Sequence, residues 1–192
     1  HYEIESFSNY KIKFKKTNTY DLIYKFNGNP KFCVWSPRII DDYFPLGHII
    51  TEGESPPKFL SILVKSEEGN IPTDVPKNYQ LVSLVIENNN PIGAFWKAIP
   101  NKKYKTLGYI YHPKLSIGEI PSLQKHIRCL PNNCVISSTI NNMVIKTNKP
   151  NNFQIWSIHN SNYFVINDGK SDKEPKEKVF NIKMSQLDLF NK

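Results

Sequence analysis

Apolar residues fall in short runs along this chain, broken by Pro, Gly and Asn. "YDLIYKF" covers Tyr20 to Phe26, "KFLSILVK" Lys58 to Lys65, "YQLVSLVI" Tyr79 to Ile86 and "KVFNIKM" Lys178 to Met184. Val, Ile, Tyr and Phe dominate these runs, which is how strands bounded by turns read. The three-four spacing of an amphipathic helix is hard to find; "SLQKHI" leaves room for one short helical turn and no more. "KIKFK", Lys11 to Lys15, alternates charged and apolar positions as a strand with one wet face does. The pattern predicts an all-β domain.

The runs repeat. "FCVWSPRIIDDYFPLGHII" and "GAFWKAIPNKKYKTLGYIY" set a Trp twelve positions before the Gly of a Leu-Gly pair, Trp35 before Gly47 and Trp96 before Gly108. A third, degenerate copy, "PNNFQIWSIHNSNYFVI", holds Trp156 and puts Val165 and Ile166 near where Leu-Gly stands in the others. A strand-like run precedes each Trp segment, "CVISSTI" in the third case, and another closes each unit, "KHIRCL" in the second. Three sheet repeats of about sixty residues follow, approximately 11–70, 71–132 and 133–192, in a single domain covering 1–192. A propeller normally uses four or more blades, and a trefoil unit is shorter than this period. A β-prism-like arrangement, three pseudo-symmetric sheets about one axis, fits it. The tryptophans are then equivalent anchors, expected inside the shared core at ~1.5–3 kcal/mol of burial each.

Length fits one domain, or at most one domain with an extra arm, and 39% hydrophobic residues suffice for a packed core. The formal charge of +8 favours anionic partners, although plentiful Lys and Asn is also a plain compositional trait. No apolar run reaches the ~20 residues of a membrane-spanning helix. The chain begins with His and lacks a signal pattern, so an excised piece of a longer protein is expected. Cys33 reads as a small core residue. Cys129 and Cys134, across "LPNN", are close enough for a disulfide in an oxidising compartment, or remain thiols on neighbouring strands. The chain has no N-glycosylation sequon.

Catalytic signatures are missing: there is no Gly-x-Ser-x-Gly elbow, phosphate-cradling Gly loop or His-Glu-x-x-His. His1, His48, His112, His126 and His159 show no metal-ligand spacing, so neither metal nor cofactor is expected. Asp41-Asp42 and Glu67-Glu68 read as solvated turn acids. Asp168-Gly169 resembles sugar-binding loops of prism lectins but is also a common turn pair. More informative are the loops between each Trp and its Leu-Gly, which pseudo-symmetry puts at equivalent corners. Lys102, Lys103 and Lys105 surround Tyr104, a cation and aromatic mixture suited to acidic headgroups at ~1 kcal/mol per Lys. Arg38 stands beside Ile39 and Ile40, an apolar pair able to dock or insert shallowly. The competing reading folds both isoleucines onto the core and leaves the lysines as solubilising turn residues. "KIKFKK" lacks the interleaved aromatics of single-strand grooves, which argues against nucleic acid.

These motifs resemble the vacuolar protein sorting-associated protein 62 family, also called domain of unknown function 946. The matching residues are Trp35, Pro37, Tyr43, Leu46, Gly47 and Ile49, then Trp96, Pro100, Tyr104, Leu107, Gly108 and Ile110, then Arg128-Cys129. The chain departs from the family in lacking its Trp-Ser after the "NYQLV" strand, in its shortened third copy, and in the family's C-terminal continuation. The resemblance implies β-prism repeats and a role in vacuolar or endosomal sorting at a membrane periphery, with an acidic membrane or an adaptor protein as partner. It supplies no catalytic residues. The expectation is therefore a non-enzymatic binding module. The alternative is a secreted lectin-like or pore-forming-toxin-type attachment domain that recognises glycan or lipid.

Overall fold

The computed structural model describes residues 12–66, 73–113, 121–122, 125–168 and 172–183. Every strand pairing among them closes within one of three segments, 12–66, 74–131 and 135–182. His1, Glu67, Glu68 and Gly169 lie outside the described residues, as does part of "SLQKHI".

The first segment holds β1 (Ile12–Thr17), β2 (Tyr20–Phe26), β3 (Phe32–Pro37), β4 (Phe44–Pro45), β5 (Ile49–Glu52) and β6 (Ser61–Ser66). These make two antiparallel sheets, β2-β3-β5 and β1-β6-β4. The second holds β7 (Asn78–Glu87), β8 (Asn90–Ile99), β9 (Tyr104–Lys105), β10 (Tyr109–Pro113) and β11 (Leu130–Pro131), paired as β7-β8-β10 and β9-β11. An isolated bridge, Asp74 to Cys129, stands where β1 meets β6 in the first copy. The third holds β12 (Val135–Ser138), β13 (Ile140–Lys146), β14 (Gln154–Ile158), β15 (Phe164–Asn167) and β16 (Val179–Ile182), paired as β13-β14-β15 and β12-β16. The fold is all-β and prism-like.

Each Trp lies on the central strand of a three-stranded sheet, β2-β3-β5, β7-β8-β10 or β13-β14-β15: Trp35 pairs with Ile49, Trp96 with Ile110 and Trp156 with Val165. Two sequence expectations need correction here. "CVISSTI" is not the hairpin partner of the third Trp strand. Its Val135 to Ser138 pair with the closing strand β16, while Ile140–Lys146 pairs with β14. Nor do the three indoles share one interior. Trp35 packs with Cys33 and Ile49, and Trp96 with Tyr79, Ala94, Ala98, Ile110 and Ile127. Trp156 alone joins the central cluster. Alternation explains this, because Phe32 and Val34 in β3, and Phe95 in β8, face the centre, which turns Trp35 and Trp96 to the opposite face.

Phenylalanines fill the centre instead. Phe32, Phe95 and Phe153, one per repeat and all fully buried, hold ring centroids 6.4, 6.2 and 5.3 Å apart. Phe32 and Phe153 stand three residues before their Trp, whereas the second repeat has Gly93 there. The Tyr111 phenol occupies that room, and a Cβ on Gly93 would collide with it. A second core gathers repeat-equivalent residues, Leu46 with Leu107 and Val64 with Leu130 and Ile182.

Gly47 and Gly108 meet face to face. A Cβ on Gly47 would stand 2.8 Å from the Gly108 Cα and 2.8 Å from Cδ1 of Tyr163. Tyr163, two residues before Val165, is the third repeat's counterpart of these glycines, a place the sequence reading gave to Val165 and Ile166. One large ring therefore covers the axis where two repeats contribute bare backbone. The His48 N–H, donated to the Tyr109 carbonyl at 2.9 Å, ties the first two repeats at this level. Asn151, buried, ties the third to the second: its Nδ2 donates to the Ile86 carbonyl and its Oδ1 accepts the Ile86 N–H.

Candidate functional site

The corner turns start alike in the first two repeats. Ile40 to Tyr43 and Asn101 to Tyr104 each begin five residues after the Trp and close by a backbone N–H donated from the Tyr, at 2.8 and 3.1 Å. Asp41 and Asp42 sit at φ 51° and 61°, and Lys103 at φ 74°, the left-handed region that short polar side chains enter most readily. A two-residue strand follows each turn and pairs with the unit's closing segment, β4 with β6 and β9 with β11.

Both corners carry cations beside aromatic rings. Lys102 and Lys103 are exposed, Tyr104 is half-buried, and the Lys105 ammonium stands 5.1 Å from the Phe180 ring centroid. At the first corner the ammoniums of Lys15 and Lys65 lie 5.6 and 5.7 Å from the Tyr43 ring, and Arg128 stacks 3.6 Å over Phe44. Such contacts contribute ~0.5–1 kcal/mol at exposed sites. Arg38 is tied to Asp21, with Nε donating to Oδ1 at 2.9 Å. Ile39 is 41% exposed, whereas Ile40 is half-buried and bridges to Tyr43. Only one of the two candidate isoleucines therefore faces water. Sequence reading missed Lys15, Lys65 and Arg128, because Lys15 and Lys65 reach the first corner from β1 and β6 and Arg128 from the segment before β11.

The third corner differs. Ile158 to Ser161 form its turn, closed by Ser161 N–H to the Ile158 carbonyl at 3.1 Å with Asn160 at φ 53°. The Trp156 partner follows after nine residues, against fourteen in the other repeats. That shortfall omits the counterpart of β4 and β9, and among the described residues β16 pairs with β12 alone. A cavity of about 550 Å³ opens there, between the third repeat and Leu60 to Ile62 of the first. Comparing turn lengths between the copies is the sequence signal that would have found it.

Cys33, Cys129 and Cys134 are buried free thiols in this structure, with no bridge between Cys129 and Cys134. Burial pushes both Cys129 and Cys134 up to about 12, far from reactive thiolates. Among the described residues no group of His, Cys, Asp and Glu is arranged to hold a metal ion. No helix among them is long and apolar enough to cross a membrane.

No protein-family model matches the chain, and no curated protein sequence does. Among solved structures, GNIP1Aa from Chromobacterium piscinae superposes with a TM-score of 0.74 at 13% identity, over 94% of this chain. The chain spans 40% of the length of GNIP1Aa. At that identity the likeness speaks for architecture alone, an all-β, prism-like domain.

Proposed function

We propose that this domain is a non-catalytic attachment module that docks onto an anionic membrane surface through the corners of its first two repeats. The observation that carries this reading is the placing of Lys102 and Lys103, exposed, beside half-buried Tyr104, with Lys15 and Lys65 about Tyr43 at the equivalent corner. Exposed cations near acidic headgroups each contribute ~1 kcal/mol, and a half-buried Tyr suits the headgroup layer. Ile39 adds an exposed apolar tip beside Arg38. A vacuolar or endosomal sorting role, with an adaptor protein as partner, rests on the family resemblance alone. A second reading, a secreted toxin-type or lectin-like attachment domain, draws support from the fold shared with GNIP1Aa, where it makes up only part of a longer chain.

Vesicle co-sedimentation tests the membrane reading. The protein should sediment with phosphatidylserine-containing vesicles and stay in the supernatant with phosphatidylcholine alone. K102E/K103E should abolish sedimentation, and added salt should weaken it. Equal partition onto both vesicle types, or onto neither, sinks the reading.

A further inference from the structure

The geometry points to a neutral-carbohydrate site in the third corner, a surface separate from the cationic corners and independent of the membrane reading. In the first two repeats a two-residue strand lies against the closing segment, Phe44–Pro45 on β6 and Tyr104–Lys105 on β11. The third repeat omits it, and the cavity of about 550 Å³ opens beside Asn181 and Ile182 of β16. That volume lies within the ~300–1,000 Å³ of small-ligand sites.

Its chemistry selects the ligand class. In a chain with 22% charged residues, none of the described residues lining the cavity is a Lys, Arg, Asp or Glu, and His159 is the one ionisable imidazole among them. An anionic headgroup or a charged peptide would give up hydration there without a counter-charge, a cost of several kcal/mol. Hydroxyl and amide side chains line it instead, among them Ser137, Ser138, Asn162 and Asn181. Leu60 and Ile136 add exposed apolar surface, 51% and 55% accessible. A sugar ring matches this mixture, having a rim of hydroxyls that donate and accept and faces of C–H groups.

Part of the polar set is already held in place. Asn181 Nδ2 donates to the His159 carbonyl at 2.9 Å and to Ser138 Oγ at 3.3 Å, while Ser138 Oγ donates to the same carbonyl at 3.0 Å. With its amide nitrogen so committed, Asn181 keeps its Oδ1 as an acceptor that no described residue uses. Fixing these groups before the ligand arrives lowers the ordering cost of binding.

The test is a glycan array of neutral oligosaccharides ending in hexose or N-acetylhexosamine, with sialylated and sulfated counterparts and a set of extended peptides alongside. The best neutral binder is then titrated by calorimetry. Retention of neutral glycans is expected, with affinity lowered about tenfold or more by Ser137→Trp and by Asn162→Trp, both at exposed lining positions. K102E/K103E should leave that affinity unchanged, so failure of the membrane reading leaves this result intact. Binding of no neutral glycan, of charged glycans only, or of peptides only overturns the proposal. Neutral-glycan binding that survives both Trp variants overturns it as well.

Discussion

The Nδ1 of His48 accepts the backbone N–H of Tyr111 at 2.9 Å, locking the first repeat to the second. An acceptor nitrogen carries no proton, and burial, with His126 and His112 nearby, pulls His48 down to about 3. His126, whose ring centroid lies 5.8 Å from that of His112 and 6.4 Å from that of His48, falls to about 4, chiefly through burial, with His112 and Lys125 adding to it. Both values lie below the ~6.5 of an unfolded imidazole. The unfolded chain therefore binds protons first as pH falls, so stability is full above ~6.5 and drains away from there toward the folded values. Each histidine adds a slope of up to ~1.4 kcal/mol per pH unit. Urea midpoints followed by tryptophan fluorescence should drop between pH 7 and pH 5, before most carboxylates titrate, and His48→Gln should flatten the decline. A midpoint constant across that range contradicts the clamp.

The tryptophans differ in how their indole N–H groups are satisfied. Trp35 Nε1 donates to Thr51 Oγ1 at 2.8 Å, whereas Trp96 Nε1 meets no acceptor among the described residues. Trp35→Phe removes a hydrogen bond contributing ~0.5–1.5 kcal/mol, while Trp96→Phe removes a buried donor that was already unsatisfied. Trp35→Phe should therefore destabilise more, by about 1 kcal/mol. The reverse order in denaturation midpoints would count against these placements.

Backbone contact at the axis sets a third expectation. Gly47→Ala presses a methyl group against the Gly108 Cα and the Tyr163 ring, and Gly108→Ala would sit 3.0 Å from the Gly47 Cα. Neither backbone can yield without shifting a neighbouring repeat, so overpacking of ~1–3 kcal/mol is expected from each. Thermal unfolding of the two variants measures this, and wild-type midpoints would show the repeats to be further apart.

Thiol accessibility gives the fourth. Cys129 and Cys134 are completely buried, and their pushed-up thiols hold little thiolate at neutral pH. An aromatic disulfide reagent should label none of the three cysteines in the native protein and all of them on unfolding. Rapid labelling of the folded state, or only one thiol released by denaturant, refutes the assignment.

The architecture was legible where copies kept their length. Trp35 and Trp96, with the Leu-Gly pairs that follow them, share one register because the residues between them are equal in number. The third copy hid its register for two reasons. Of β13 only Ile140 and Ile145 are buried, so "INNMVIK" carries little strand alternation. The short turn also moved Tyr163 onto the place of the glycines, where no Leu-Gly marks it. The inward-facing set was misread because indoles are the more conspicuous residues, although Phe32, Phe95 and Phe153 hold the centre. As for the cationic corners, Lys102 and Lys103 could be read along the chain, but Arg128 over Phe44 could not, since it depends on a contact between repeats.

The short third turn also gives the domain a heading. Three identical corners would present the same outline after every third of a rotation, and a partner could settle in any of three poses. With one corner cut back, those poses are no longer interchangeable. Whatever grips that corner holds one copy per chain, and the orientation of everything joined to the domain is fixed with it.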